Sequence, residues 1–210
     1  AIIFGALAAA GQKDLKKLVA YSSVNHMGFV LLGVAAVAAA AGGDAAAVQS
    51  SRIAASGAAL QMVNHGLSSA GMFFLVGVLY DRAHTRKLDD FGGLYAILPA
   101  FGTVFIFVSM ASLGLPGLNG FISELLVVVG SWPLLTAYVA AAMVGLIFTG
   151  TYILKAIRAV LHGPLNPRWQ GVLTEMSVRE WAVILPLMAL MLLLGVWPAW
   201  LLDLINRAVM

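Results

Sequence analysis

Long apolar blocks alternate with short polar or Gly/Pro-rich segments along this chain, and each block reads as a helix. A bilayer of about 30 Å takes about 20 apolar residues per helix. Ala1 to Ala10 is too short for that and stops at Gly11-Gln12-Lys13-Asp14-Leu15-Lys16-Lys17, so it predicts the end of a truncated helix. A second helix is expected over Leu18 to Ala41, and the small, polar stretch from Gly42 to Ser56, with Asp44 and Arg52, reads as a loop. A third is expected over Gly57 to Tyr80, closed by the charged run from Asp81 to Asp90 and by Gly92-Gly93, and a fourth over Leu94 to Leu113.

Leu115-Pro116-Gly117-Leu118-Asn119-Gly120 interrupts the pattern before a short fifth helix, Phe121 to Trp132, and Pro133 starts a sixth that ends near His162. Proline removes a backbone donor and glycine frees the dihedrals, so the 115–120 and 131–134 segments fit breaks at membrane depth as well as surface loops. A polar linker, Gly163 to Arg179, leads to a seventh helix over Trp181 to Leu202, whose Trp197 and Trp200 suit an interfacial belt.

Composition turns these helices into membrane helices. Hydrophobic residues make up 61% of the chain and charged residues 10%, with a mean hydropathy of +0.96; a soluble domain carries about 25% charged residues. The expected fold is all-α: a polytopic transmembrane helix bundle of about seven helices, the first partial, forming a single domain over residues 1–210. Because the chain opens on Ala1 with neither Met nor a signal peptide, it reads as the later part of a longer protein. The net charge is +3, but twelve Lys and Arg form no dense run, so no nucleic-acid partner is expected. Without cysteine there is no disulfide, thiolate nucleophile, Cys-ligated zinc or cysteine-held iron–sulfur cluster, so any redox chemistry belongs to a partner. Lys and Arg split seven to four between the two sides, or five to four if Lys16 and Lys17 lie inside the membrane, which assigns no cytoplasmic face.

Ionisable residues at membrane depth carry the functional signal, since each costs about 2.5–3.5 kcal/mol at a helix centre. Lys16 stands between two apolar runs and is followed by Tyr21, Ser22, Ser23, Asn25 and His26. It fits a tight surface turn with snorkelling side chains, and equally a desolvated lysine that takes and releases a proton. Glu124 lies four residues after Gly120 on an almost wholly aliphatic helix. It fits helix-start electrostatics with Asn119 as cap, and equally an intramembrane proton or ion site. Gln61, Asn64, His65, Ser68 and Ser69 form one helical stripe, which reads as interhelical bonding or as a proton relay through His65. His26 supports the same relay with less weight, His84 reads as interfacial, and Lys155, Arg158 and His162 read as a snorkelling helix end. No P-loop, GxSxG, HExxH or GxGxxG motif is present.

The string from Gln12 to Gly28, Gln-Lys-Asp-Leu-Lys-Lys-Leu-Val-Ala-Tyr-Ser-Ser-Val-Asn-His-Met-Gly, resembles the segment shared by the antiporter-like subunits of respiratory complex I, the NADH:quinone oxidoreductase. Asn64-His65-Gly66-Leu67, Tyr80 to Arg86, Gly92-Gly93-Leu94 and Leu115 to Glu124 resemble the M type, subunit 4 in mitochondria. The resemblance runs over nearly all 210 residues and implies the C-terminal half of a fourteen-helix fold, its helices eight to fourteen. It implies a proton-translocating subunit in which Lys16 lies on the central hydrophilic axis and Glu124 is the distal channel residue. A glutamate at position 124, where the L and N types carry lysine, favours the M type. The glutamate–lysine pair of the family's earlier helices has no counterpart in this sequence. The resemblance also implies that this chain holds no cofactor, that FMN, iron–sulfur clusters and quinone sit in partner subunits, and that its partners are L-like and N-like membrane subunits, the peripheral redox arm and lipid. A bacterial plasma membrane is the expected location. The alternatives are an Mrp-type sodium/proton antiporter, which shares the Lys16 segment, and a related membrane-bound hydrogenase or photosynthetic NDH complex.

Overall fold

The computed structural model describes residues 1–209. They form seven α-helices: α1 (Ile2–Ala10), α2 (Leu15–Ala39), α3 (Ala45–Ala83), α4 (Pro99–Leu113), α5 (Asn119–Leu161), α6 (Val178–Val196) and α7 (Ala199–Val209). Four of them, α2, α3, α5 and α6, are long and apolar enough to cross a membrane. Among the described residues the only β pairing is one bridge between Asp14 and Lys87. The all-α membrane bundle expected from the apolar blocks is the fold observed, although its helices divide differently.

Of the 42–56 segment only 42–44 is a turn, and the rest is helix. Helix α3 starts at Ala45, because the Asp44 carboxylate caps it by accepting from the Ala47 amide at 2.8 Å, and the alanines that follow are strong helix formers. Of the small residues read as loop-forming, Ser51, Ala54 and Ser56 are buried, and a Cβ on Gly130 of α5 would strike the backbone of Ala54 of α3. Small side chains are what let two membrane helices approach this closely. The expected fifth and sixth helices are both present, meeting at a kink within the α5 span. Leu135, two residues after Pro133, leaves helical geometry at φ −138°, ψ 45°, which places the bend where proline removes an amide. The seventh expected helix is two, because Pro198 follows Trp197 and α6 closes there before α7 begins. The fourth starts five residues late, at Pro99, after a 3₁₀ turn over Leu94–Ala96.

Two of the motifs noted in the sequence meet at one end of the bundle. Asp14 caps α2 through the Lys17 amide at 3.0 Å, while Leu15 donates its amide to Arg86 O at 2.8 Å and Leu88 to Lys13 O at 2.9 Å. The α1–α2 turn and the segment after α3 are thus tied backbone to backbone. Near the same end Arg82 of α3 forks onto both carboxylate oxygens of Glu180 at 2.7 and 2.8 Å and donates to Thr174 O and Glu175 O, fastening α6 and the linker before it.

Candidate functional site

Four helices bring polar side chains to one buried point. Asn25 and His26 come from α2, Gln61, Asn64 and His65 from α3, Ser112 from α4, and Glu124, Thr149 and Tyr152 from α5. His26 and Glu124, 2% and 6% exposed, are joined by Nδ1 and Oε1 at 3.0 Å. The opposite ring nitrogen, Nε2, lies 3.0 Å from the Tyr152 hydroxyl and 3.4 Å from Ser112 Oγ. The His65 ring stacks on His26 with centroids 5.1 Å apart and an interplanar angle of 29°. Gln61 Nε2 approaches the same Glu124 oxygen at 3.4 Å.

The Gln61–Ser69 stripe accounts for the position of Glu124. Asn64 Nδ2 donates to Asn119 O at 2.6 Å and to Ser123 Oγ at 2.9 Å, and Asn119 Nδ2 returns the bond to Asn64 O at 2.9 Å. Asn119 is therefore not the helix cap: α5 starts after Leu118 with no capping side chain, and the asparagine instead ties α5 to α3. Glu124, beyond the first turn, is bound by side chains of α2 and α3 rather than by orphan amides. Its other oxygen, Oε2, faces Gly114, which holds φ +84°; a Cβ there would stand 3.1 Å from that oxygen and strain the backbone. Beyond lies a cavity of about 200 Å³ walled by Leu113, Phe121, Leu125, Val128, Met143 and Leu146. One carboxylate oxygen thus faces a polar chain and the other an apolar recess.

The chemistry open to this cluster is proton exchange. An ionised Glu124 accepts from Nδ1–H, a protonated one donates to a bare Nδ1, and an imidazole between two oxygen partners supports either arrangement. At this depth of burial each such change of charge acts strongly on its neighbours. Among the described residues no cluster of three His, Asp or Glu side chains converges as a metal site would require.

Glu124, His26 and His65 are brought together, with the His26 ring in contact with both of the others. Lys16 is not in the cluster. It is exposed in the first turn of α2, beside a groove lined by Phe73, Val76, Tyr80 and Arg86. Ten residues before His26, it lies about 15 Å away along the helix. Lys155 does not snorkel to the surface as expected: its ammonium turns inward to Ala10 O at 2.6 Å and Gln12 O at 2.8 Å. Arg158 and His162 are exposed, as is His84, which ends α3 at φ 53°. Sequence reasoning missed Tyr152, Thr149 and Ser112. The signal available was Thr149 and Tyr152, two hydroxyls three residues apart and so on one face of an apolar helix.

Comparison with known proteins agrees with this architecture. Residues 1–150 match the model of the family described as NADH:quinone oxidoreductase/Mrp antiporter, TM. The chain is 39% identical to NADH-quinone oxidoreductase subunit M of Rhodobacter capsulatus, over all of this chain and 38% of that protein. It is 38% identical to the subunit of the same name in Pseudomonas aeruginosa, over 96% of this chain and 37% of that protein. It superimposes on a chain of respiratory complex I from Thermus thermophilus with bound NADH at a TM-score of 0.86 and 26% identity, covering 99% of this chain and 42% of the other. The chain thus spans under two-fifths of the length of the curated relatives it matches. It belongs to the NADH:quinone oxidoreductase/Mrp antiporter transmembrane family.

Proposed function

We propose that this chain is the C-terminal part of an M-type, proton-translocating membrane subunit of an NADH:quinone oxidoreductase, with Glu124 as the residue that carries the proton. The observation that supports this most is the buried Glu124–His26 pair at 3.0 Å, with His65 stacked on it, inside a membrane bundle of this family. Glu124 takes up and releases a proton, His26 and His65 relay it, and Lys16 supplies the axis charge that biases the cluster through intervening water. Moving one charge against 100 mV requires about 2.3 kcal/mol, which sets the free energy that turnover must deliver to the site.

In this reading the chain is a translocase subunit with no redox site of its own. FMN, iron–sulfur clusters and quinone belong to partner subunits, and L-like and N-like membrane subunits flank it in a bacterial plasma membrane. Glu124→Gln, in the full-length subunit and the assembled complex, is expected to abolish or strongly reduce NADH-driven proton pumping in membrane vesicles. Normal pumping by that complex would refute the role of Glu124. The family description also covers Mrp antiporters, so a second reading is a sodium/proton antiporter subunit. It predicts sodium-dependent antiport in vesicles without NADH oxidation, and purification without flavin or iron–sulfur proteins.

A further inference from the structure

We infer that Tyr152 is a positioning residue for proton transfer at Glu124: its hydroxyl, braced by Asn25, holds the far nitrogen of His26 so that the ring passes a proton without turning. Tyr152 is fully buried in an apolar stretch of α5, where an unpaired hydroxyl would be costly. Two side chains of α2 meet it, His26 Nε2 at 3.0 Å and Asn25 Nδ2 at 3.2 Å. Asn25 also donates to Thr149 Oγ1 at 2.6 Å, one turn before Tyr152 on the same helix. Because the asparagine donates to the phenol oxygen, the phenol hydrogen is left for His26. That makes Nε2 the acceptor and puts the ring hydrogen on Nδ1, facing the Glu124 carboxylate.

Uptake of one proton then needs no movement of the ring. A hydronium ion on the Tyr152 side breaks one O–H bond and gives that proton to the Nε2 lone pair as the phenol hydrogen turns away from it, leaving neutral water and a new N–H bond. The Nδ1–H bond breaks, and that proton forms an O–H bond at Glu124 Oε1. The pair has gained one proton and nothing is oxidised. The Tyr152 oxygen, a hydrogen-bond donor before the step, is an acceptor after it, and a hydroxyl alone among side chains of this shape serves both states. His65, stacked on the ring, blocks the alternative of rotation.

The inference rests on Glu124 being the proton carrier, and the test separates the two. In the full-length subunit within its assembled complex, labelled with ¹⁵N-histidine, solid-state NMR reads the His26 tautomer, its signals assigned by their loss in His26→Gln. The parent is expected to show Nδ1–H when Glu124 is ionised. In Tyr152→Phe the two tautomers should mix, and pumping should fall about tenfold, the effect of one lost hydrogen bond to a charged intermediate. An unchanged tautomer overturns the proposal even if pumping falls, since that result describes a merely structural tyrosine. Should Tyr152→Phe not assemble, Asn25→Leu, which unbraces the hydroxyl, is read by the same criterion. Parental pumping in Tyr152→Phe overturns the proposal where Glu124→Gln has stopped pumping. If Glu124→Gln also pumps normally, the carrier reading fails, and the spectrum alone decides whether Tyr152 positions His26.

Discussion

Lys155 sits half-buried in an apolar bundle, held by carbonyls rather than by a carboxylate. The acceptors, Ala10 O and Gln12 O, are groups that the end of α1 leaves open, and the negative end of that helix completes the environment. Lys155→Met should lower stability by about 2 kcal/mol, seen as a reduced Tm of the purified full-length subunit in detergent. The same residue shows why the site was only partly legible. A charge in an apolar run announces itself, which is how Lys16 and Glu124 were found, but its direction does not. Nothing in the spacing joins His26 to Glu124, 98 residues apart, or turns Lys155 inward rather than outward. Tyr152 was invisible for a different reason: an aromatic ring in a membrane helix reads as apolar surface, and only its neighbours make its hydroxyl matter.

At the scale of elements, the contact between α3 and α5 decides the shape of the site, because it carries Gln61 and Asn64 to Ser123 and Glu124. It depends on backbones that nearly touch at Gly130. Gly130→Leu should separate the helices and abolish assembly, checked by the yield of intact complex. Gly66→Ala, on the same α3 but with nothing within 4 Å of the added methyl, should assemble normally and be slightly stabilised, by about 0.5–1 kcal/mol. Apolar blocks were enough to recognise the helices of this bundle but not their ends. Alanine, serine and glycine in 42–56 carry a loop's composition and a membrane interface's composition at once, and only packing against α5 tells them apart. Proline was ambiguous in the same way, since two helices run on into one another across the kink beside Pro133 whereas Pro198 leaves α6 and α7 separate.

Across the whole molecule, the polar attachment of α6 lies at its start, where the Arg82–Glu180 fork and the Ser177–Glu180 capping box share one carboxylate. Arg82→Met would leave Glu180 and two linker carbonyls without their partner. An expected loss of about 1–2 kcal/mol raises the open population by about 5- to 30-fold, measurable as faster proteolysis between residues 163 and 177. That linker has a second attachment. Helix α4 has no capping side chain of its own: Leu98 precedes it and Pro99 begins it. The amides of Ala100 and Phe101 are closed at 2.8 and 3.2 Å by the Glu175 carboxylate, which is 75 and 74 residues further along the chain. During synthesis Glu175 leaves the ribosome long after α4 has formed. The helix that contributes Ser112 to the buried cluster therefore begins life with a frayed first turn. It is finished only when the linker folds back, so that the order of synthesis and the order of completion run in opposite directions.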